Sequence, residues 1–167
     1  MSKYVEAANW VSEQRQVKNI FQNFNKMFNL ESFEDAYLVQ DSLETVWAHK
    51  GDVIGYKLAL TSKAMQNMFG VSTPFKGNLF SETILKGDQV ISLKNYGRLG
   101  VEFELAIEIG EDFGTNSNDL TVEKCMSKVS AVYPAFELID DRKADYSKVN
   151  LISTTADNSW NANTVLG

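Results

Sequence analysis

Between Gly100 and Gly110 the chain alternates with a period of two residues. Val101, Phe103, Leu105, Ile107 and Ile109 fall on one side, and Glu102, Glu104, Ala106 and Glu108 on the other. Successive side chains of a strand point to opposite faces, so this stretch predicts a β-strand with an apolar face and a face carrying three carboxylates. Any fold for this chain has to build a sheet around that strand and find a use, or a solvent boundary, for its acidic side.

The flanking segments predict helices first and sheet afterwards. Trp10, Val17, Ile20, Phe21, Phe24, Met27 and Phe28 recur at helical spacing, which predicts one helix from Ala8 to Asn29. Ser32 and Asp35 have capping-box spacing before a stripe of Ala36, Tyr37, Leu43, Val46 and Trp47. That second helix closes at His49, Lys50 and Gly51, where cations and a glycine suit a helix C-terminus. Asp52 to Leu60 predicts a short buried strand, and Ser62 to Phe69 a short helix ending at Gly70. Pro74, Gly77 and Asn78 mark a loop, and Gln89 to Leu93 a brief strand. A polar loop follows from Asp112 to Asp119, then a helix from Thr121 through Val132 with Val122, Cys125, Met126 and Val129 inward. Tyr133 to Asp140 returns to strand. The expected class is α+β in a single domain over 1–167, with a helical segment at 1–51 and a β-rich portion at 52–167, its sheet mostly antiparallel or mixed.

Composition narrows the chemistry. The formal net charge is −6, and no run of Lys or Arg offers the basic patch that phosphates need, so nucleic acid is not an expected partner. His49 is the single histidine, which excludes multi-histidine metal sites. Cys125 is the single cysteine and is expected to be buried and non-catalytic. No apolar stretch approaches the roughly 20 residues that cross a bilayer, and the first residues lack a signal-peptide core; a cytoplasmic, reduced protein with no membrane partner is expected.

The carboxylates and one lysine are the chemical candidates. Cβ atoms two apart on a strand face are about 6.5–7 Å apart, so Glu102 and Glu104 repel unless a cation lies between them. A hard divalent ion would suit them; a solvated strand face is the plainer reading. Glu137, between Phe136 and Leu138, is an acid in an apolar strand, and such an acid is usually paired or liganded. Lys57 interrupts an apolar strand between Tyr56 and Leu58, either reaching out to water or held near an anion.

Four segments occur in a recognisable order: Gly55-Tyr56-Lys57-Leu58-Ala59-Leu60-Thr61-Ser62-Lys63-Ala64-Met65-Gln66, Val101-Glu102-Phe103-Glu104-Leu105-Ala106, Pro134-Ala135-Phe136-Glu137-Leu138-Ile139-Asp140-Asp141-Arg142 and Ala156-Asp157-Asn158. With Ala36-Tyr37 and Gln40, they resemble the 2-keto-4-pentenoate hydratase and 4-oxalocrotonate decarboxylase family of the fumarylacetoacetate hydrolase superfamily. The resemblance implies a mixed β-sandwich roll, with Mg²⁺ or Mn²⁺ on Glu102, Glu104 and Glu137, Lys57 as the active-site lysine, and Thr61, Ser62, Asp157 and Asn158 toward substrate. It implies a lyase of aromatic catabolism that acts on small 2-hydroxy-dienoates or 2-oxo acids, and a homo-oligomer. Hydration of a 2-keto-4-pentenoate-type substrate is the main expectation. The alternatives are a 4-oxalocrotonate-type decarboxylase and an inactive relative serving as a binding or structural subunit.

Three departures from the family pattern stand out. Pro74-Phe75-Lys76-Gly77 lacks the acid that hydratases commonly carry after the proline, which pulls toward decarboxylation. Ser153 replaces an acid and Trp160 a small serine, and the indole is expected to reshape the pocket. The chain is also shorter than family members, as expected of a form truncated at the C-terminus.

Overall fold

The structure is a computed structural model and describes residues 1–114 and 120–167. Helix α1 runs Lys3–Gln16, with the Ser2 hydroxyl accepting from the Val5 N–H as its N-cap. The helix is over by Val17, and Lys18 takes a left-handed φ of 56°. The single helix expected from Ala8 to Asn29 is therefore corrected: it starts and ends earlier. Phe21 and Phe24 are buried without being helical, while Val17, Ile20 and Met27 are exposed. Hydrogen bonds from distant segments replace helical ones there. The Phe21 N–H donates to the Arg142 carbonyl, and the N–H groups of Phe24 and Asn25 both donate to the Ser153 hydroxyl.

Helix α2, Phe33–Val46, begins where its caps predict. The Ser32 hydroxyl accepts from the Asp35 N–H, and the Asp35 carboxylate accepts from the Glu31 N–H and the Tyr4 hydroxyl. Ala36, Val39 and Leu43 on α2 meet Ala7, Ala8 and Val11 on α1 in one core cluster. A 3₁₀ turn at Ala48–Lys50 and Gly51, at φ 79°, end the helical part.

Two sheets follow. Strand β1, Val53–Ala59, pairs antiparallel with β2, Phe75–Phe80. β1 is not the buried strand expected: Ile54, Tyr56 and Leu58 face out, and Lys57 lies on the inner side. The loop expected at Gly77 and Asn78 is also corrected, because both lie in β2, with Gly77 opposite Lys57. A Cβ on Gly77 would meet the Asn158 carbonyl at 2.8 Å and the Lys57 side chain at 3.2 Å, so the glycine serves close packing rather than a turn. Helix α3, Lys63–Phe69, connects the two strands as expected, capped by Ser62 and closed by left-handed Gly70.

The larger sheet has the order β3-β6-β5-β4, where β3 is Ile84–Lys86, β4 Leu99–Ile109, β5 Val129–Asp140 and β6 Asn161–Leu166. β3 and β6 are parallel and the other pairs antiparallel, so the mixed sheet and the α+β class stand as expected. The strand expected at Gln89–Leu93 is instead irregular, with Val90 fully exposed. The helix expected from Thr121 to Val132 stops early: α4 covers Val122–Met126, and Val129 already belongs to β5, drawn into pairing with β4. Val122 and Met126 are exposed and Cys125 is half-buried, so no inward stripe forms. The polar loop expected at Asp112 to Asp119 lies outside the described residues from 115 onward. Strand β4 alternates as predicted, yet Phe103 on its apolar face is 85% exposed. Among the described residues no helix is long and apolar enough to cross a membrane.

Helix α5, Leu151–Ala156, leads into a strained segment. Asn158, Ser159 and Trp160 all have left-handed φ, at 50°, 50° and 61°, a conformation costing about 1–2 kcal/mol per non-glycine residue. Side-chain bonds hold it. The Asn158 amide brackets the main chain of Asn78, accepting from its N–H and donating to its carbonyl. The Ser159 hydroxyl donates to the Lys76 carbonyl. Asp157, fully buried, pairs with Arg15 Nε and with Arg142 Nη2, both at 2.6 Å. Arg15 also donates to the carbonyls of Asp157 and Asn161, tying α1 to the segment. Removing one partner of a buried ion pair leaves the other charge unpaired. Asp157→Ala is therefore expected to destabilise the chain by about 3–5 kcal/mol in urea unfolding, and a loss within the surface-mutation range would show the two arginines are satisfied without it.

Candidate metal centre

Register brings the acids together. β4 and β5 pair so that Glu102 stands directly opposite Glu137, with Glu104 two residues along β4 on the same face. One carboxylate oxygen from each of Glu102, Glu104 and Glu137 lies within 4.8 Å of the others. Glu102 and Glu104 are exposed and Glu137 is buried. Glu137 occupies a central strand, flanked by β4 and by β6, where Thr164 is its neighbour.

The smaller sheet supplies the countercharge. Lys57 reaches from β1 to place Nζ 3.1 Å from Glu137 Oε2, and its side chain is nearly buried. Asn161 at the start of β6 donates from Nδ2 to Glu137 Oε1 at 2.9 Å. Burial holds the Glu137 carboxyl above the usual glutamate range, with a smaller push from Glu102; Lys57 and Asn161 pull it back only in part. Like charges directly opposite on paired strands destabilise a sheet, so this grouping calls for more positive charge than one lysine supplies.

The donor set fits a hard divalent cation. Such ions take carboxylate oxygens at about 2.0–2.6 Å, and three oxygens within 4.8 Å of one another can share one ion at that distance. Asn161 orients the buried ligand from behind, as supporting groups do around metal ligands. The two exposed glutamates border a cavity of about 820 Å³ whose wall also includes Lys57, Thr61 and Ser62. The ion would therefore face open space on one side.

The remaining sequence candidates separate. Thr61 and Ser62 line the cavity. Asp157 and Asn158 do not, because their side chains are taken up by Arg15, Arg142 and Asn78. The sequence gives no role to Arg15, Arg142 or Asn161. A buried acid such as Glu137 or Asp157 demands donors, but the partners lie 15 to 142 residues away along the chain, where local patterns give no sign of them. Gln40 bridges the carbonyls of Lys76 and Thr155, so its helix motif has a packing role. Asp140 accepts from the N–H groups of Gly97 and Arg98, and Asp141 makes a two-point pair with the Arg98 guanidinium, so these acids anchor the approach to β4.

No protein-family model matches the chain. It is 31% identical over 135 residues to a 2-keto-4-pentenoate hydratase of Paraburkholderia xenovorans, covering 80% of this chain and 49% of that protein. It is 33% identical over 142 residues to a 2-hydroxypent-2,4-dienoate hydratase of Pseudomonas putida, covering 81% of this chain and 61% of that one. The chain thus spans about half the length of the first of these relatives. A solved structure of 4-oxalocrotonate decarboxylase from Pseudomonas putida G7, complexed with magnesium and adipate, superposes with a TM-score of 0.87 at 22% identity. The superposition covers 98% of this chain and 62% of that one, so the two share a fold. The resemblance read from the motifs is borne out by these relatives.

The site predicts how metal and protons compete. Because the folded state holds Glu137 with a raised pKa, the metal-free folded chain takes up a proton there more readily than the unfolded chain does, and that stabilisation is lost as pH rises through the raised value. A metal needs the carboxylate, so it adds most stability where Glu137 is ionised. Millimolar Mg²⁺ is expected to raise Tm at neutral pH by mass action, with the increment shrinking as pH falls into the range of Glu137. Glu104→Gln should reduce the increment. An increment that is absent, or equal at acid and neutral pH, would count against a carboxylate metal centre.

Proposed function

We propose that this chain, a relative of the 2-keto-4-pentenoate hydratases and 4-oxalocrotonate decarboxylases, carries the head-group site of a divalent-metal-dependent lyase for 2-hydroxy-dienoates and 2-oxo acids. The favoured reaction is hydration of a 2-keto-4-pentenoate-type substrate. The observation that carries this reading is the meeting of Glu102, Glu104 and Glu137 beside the Lys57 ammonium. Glu102, Glu104 and Glu137 hold the ion, Mg²⁺ or Mn²⁺; magnesium is the ion in the solved decarboxylase. Bound there, the ion supplies Lewis acidity toward a substrate's carboxylate and 2-oxygen.

The chain's own groups do the rest. Lys57 holds the substrate carboxylate or 2-oxo oxygen while negative charge develops, and a cation fixed in place beforehand needs no reorganisation during the reaction. Its ion pair with Glu137 keeps the ammonium on the cavity side of β1. The Thr61 and Ser62 hydroxyls lie in the same wall and serve as neutral hydrogen-bonding groups. Asn161 keeps the Glu137 carboxylate in one orientation. Asp157 and Asn158 act one step back, holding the left-handed segment on which Asn161 follows. The two sheets belong, on this reading, to the β-sandwich roll of the fumarylacetoacetate hydrolase superfamily. The site sits in the β-rich portion, and a homo-oligomer is supported by the exposed apolar face of β4.

Decarboxylation of a 4-oxalocrotonate-type substrate is the second reading, favoured by one feature: Phe75 lines the cavity where hydratases commonly carry an acid. Incubation with 2-hydroxypenta-2,4-dienoate and with 4-oxalocrotonate, with and without Mg²⁺, separates the two by ultraviolet absorbance and released carbon dioxide. Mg²⁺-dependent loss of the dienoate is expected. Lys57→Met keeps the apolar stem, so circular dichroism should be preserved while turnover falls by about 10²–10³-fold. Near-normal turnover in that variant would assign Lys57 to the scaffold.

A further inference from the structure

The cavity beside the carboxylates is much larger than a five-carbon acid needs. Its volume of about 820 Å³ lies within the span of about 300–1,000 Å³ typical of clefts for drug-sized ligands. Its charged lining residues are Lys57, Glu102 and Glu104, all of them part of the head-group site. Away from that corner the wall carries apolar and aromatic side chains, Met65, Phe69, Phe75, Tyr146 and Trp160, interspersed with neutral hydroxyls.

The hydroxyl groups in the same wall give little to an anion, because most have already placed their protons. Tyr146 donates to Asp141, Ser147 to Asp145, Thr154 to the Asn150 carbonyl and Ser159 to the Lys76 carbonyl. Thr61, Ser62 and the Trp160 indole N–H are the lining donors without an acceptor among the described residues, and all three are neutral. Trp160 is itself pinned: its ring packs edge-on against Phe21 at 5.1 Å and Tyr146 at 5.6 Å.

Charge arithmetic then limits the ligand. Three carboxylates and one ammonium sum to −2, and a divalent ion brings the corner to zero. One substrate carboxylate is met there by the ion and Lys57. A second carboxylate at the far end would meet apolar side chains and neutral hydroxyls but, among the described lining residues, no cation, and burying an unpaired charge is expensive.

We propose that this site selects monocarboxylic 2-oxo acids, or their 2-hydroxy-dienoic forms, whose far end is an uncharged apolar group as large as an aryl ring, and discriminates against dicarboxylates, with Trp160 and Tyr146 forming the aromatic part of the tail wall. This rests on the head-group reading above.

The test is Mg²⁺-dependent binding by calorimetry of pyruvate, 2-oxohexanoate, 2-oxo-4-phenylbutanoate and 2-oxoadipate to the whole chain. Pyruvate reports the head-group site alone. The hexanoate and the phenyl acid are expected to bind at least about tenfold more tightly than 2-oxoadipate, the phenyl acid tightest. Met65→Lys puts a cation into the half-exposed α3 wall without touching the core, and should raise the affinity for 2-oxoadipate relative to 2-oxohexanoate about tenfold. Equal or tighter binding of 2-oxoadipate by the unaltered chain, with pyruvate binding intact, overturns the proposal while sparing the head-group site. An unchanged ratio in Met65→Lys overturns it also. Pyruvate that fails to bind in a Mg²⁺-dependent way removes the head-group reading, and this inference with it.

Discussion

Two glutamates face each other across the β4–β5 pairing, and one of them is buried. Such a cross-strand pair is unfavourable in an ordinary sheet. Here it is tolerated because positive charge and donors arrive from both sides: Lys57 from the smaller sheet and Asn161 from β6. The smaller sheet has to sit where Lys57 can reach Glu137. Gly77 allows this, because any side chain there would collide with the lysine stem and with the Asn158 carbonyl. The position of β2 therefore depends on a charge in β5, through a glycine that local pattern reading takes for a turn.

The left-handed segment is the second half of the same arrangement. Asn161 can support Glu137 only if the chain enters β6 at the right place, and three successive non-glycine residues at positive φ bring it there. That conformation would not persist by itself. It is held by the Asp157 pairs with Arg15 and Arg142 and by the Asn158 bracket on Asn78. A helix at the start of the chain, through Arg15, thus helps place a supporting residue of the carboxylate cluster.

What was legible in the sequence follows the range of the forces involved. The cap at Ser32, the short helix that Gly70 ends and the period of β4 are local, and they read correctly. The three acids and Lys57 were each conspicuous because a charge in an apolar setting needs a reason. Their convergence depended on strand register, which the motifs supplied only by resemblance. The failures are tertiary. Phe21, Phe24 and Asn25 lie in a stretch of helical spacing but donate to Arg142 and Ser153 instead. Val129 to Val132 could continue a helix but pair with β4 instead. Of the two readings open for Lys57, the structure takes the second: Tyr56 and Leu58 are exposed and the lysine lies inside against Glu137. Period two identifies two faces of a strand without saying which one is covered.

A division of labour between head and tail follows. Strand register and the Lys57 pair define the carboxylate corner, and an ion there would polarise a 2-oxo acid in the same way whether water adds or a remote carboxylate leaves. The corner cannot therefore decide between the two reactions. On the proposed reading the walls can, because they would determine what the far end of a substrate meets. Phe75 comes from β2, Met65 from α3, and Trp160 from the strained segment, three elements that contribute no carboxylate to the corner. Substitutions in those elements can change the tail a substrate may carry while leaving the spacing of Glu102, Glu104 and Glu137 intact. Trp160 and Phe75, both departures from the family pattern, stand in those walls and not among the carboxylates. On the proposed reading, this layout lets tail preference change without disturbing the head-group site.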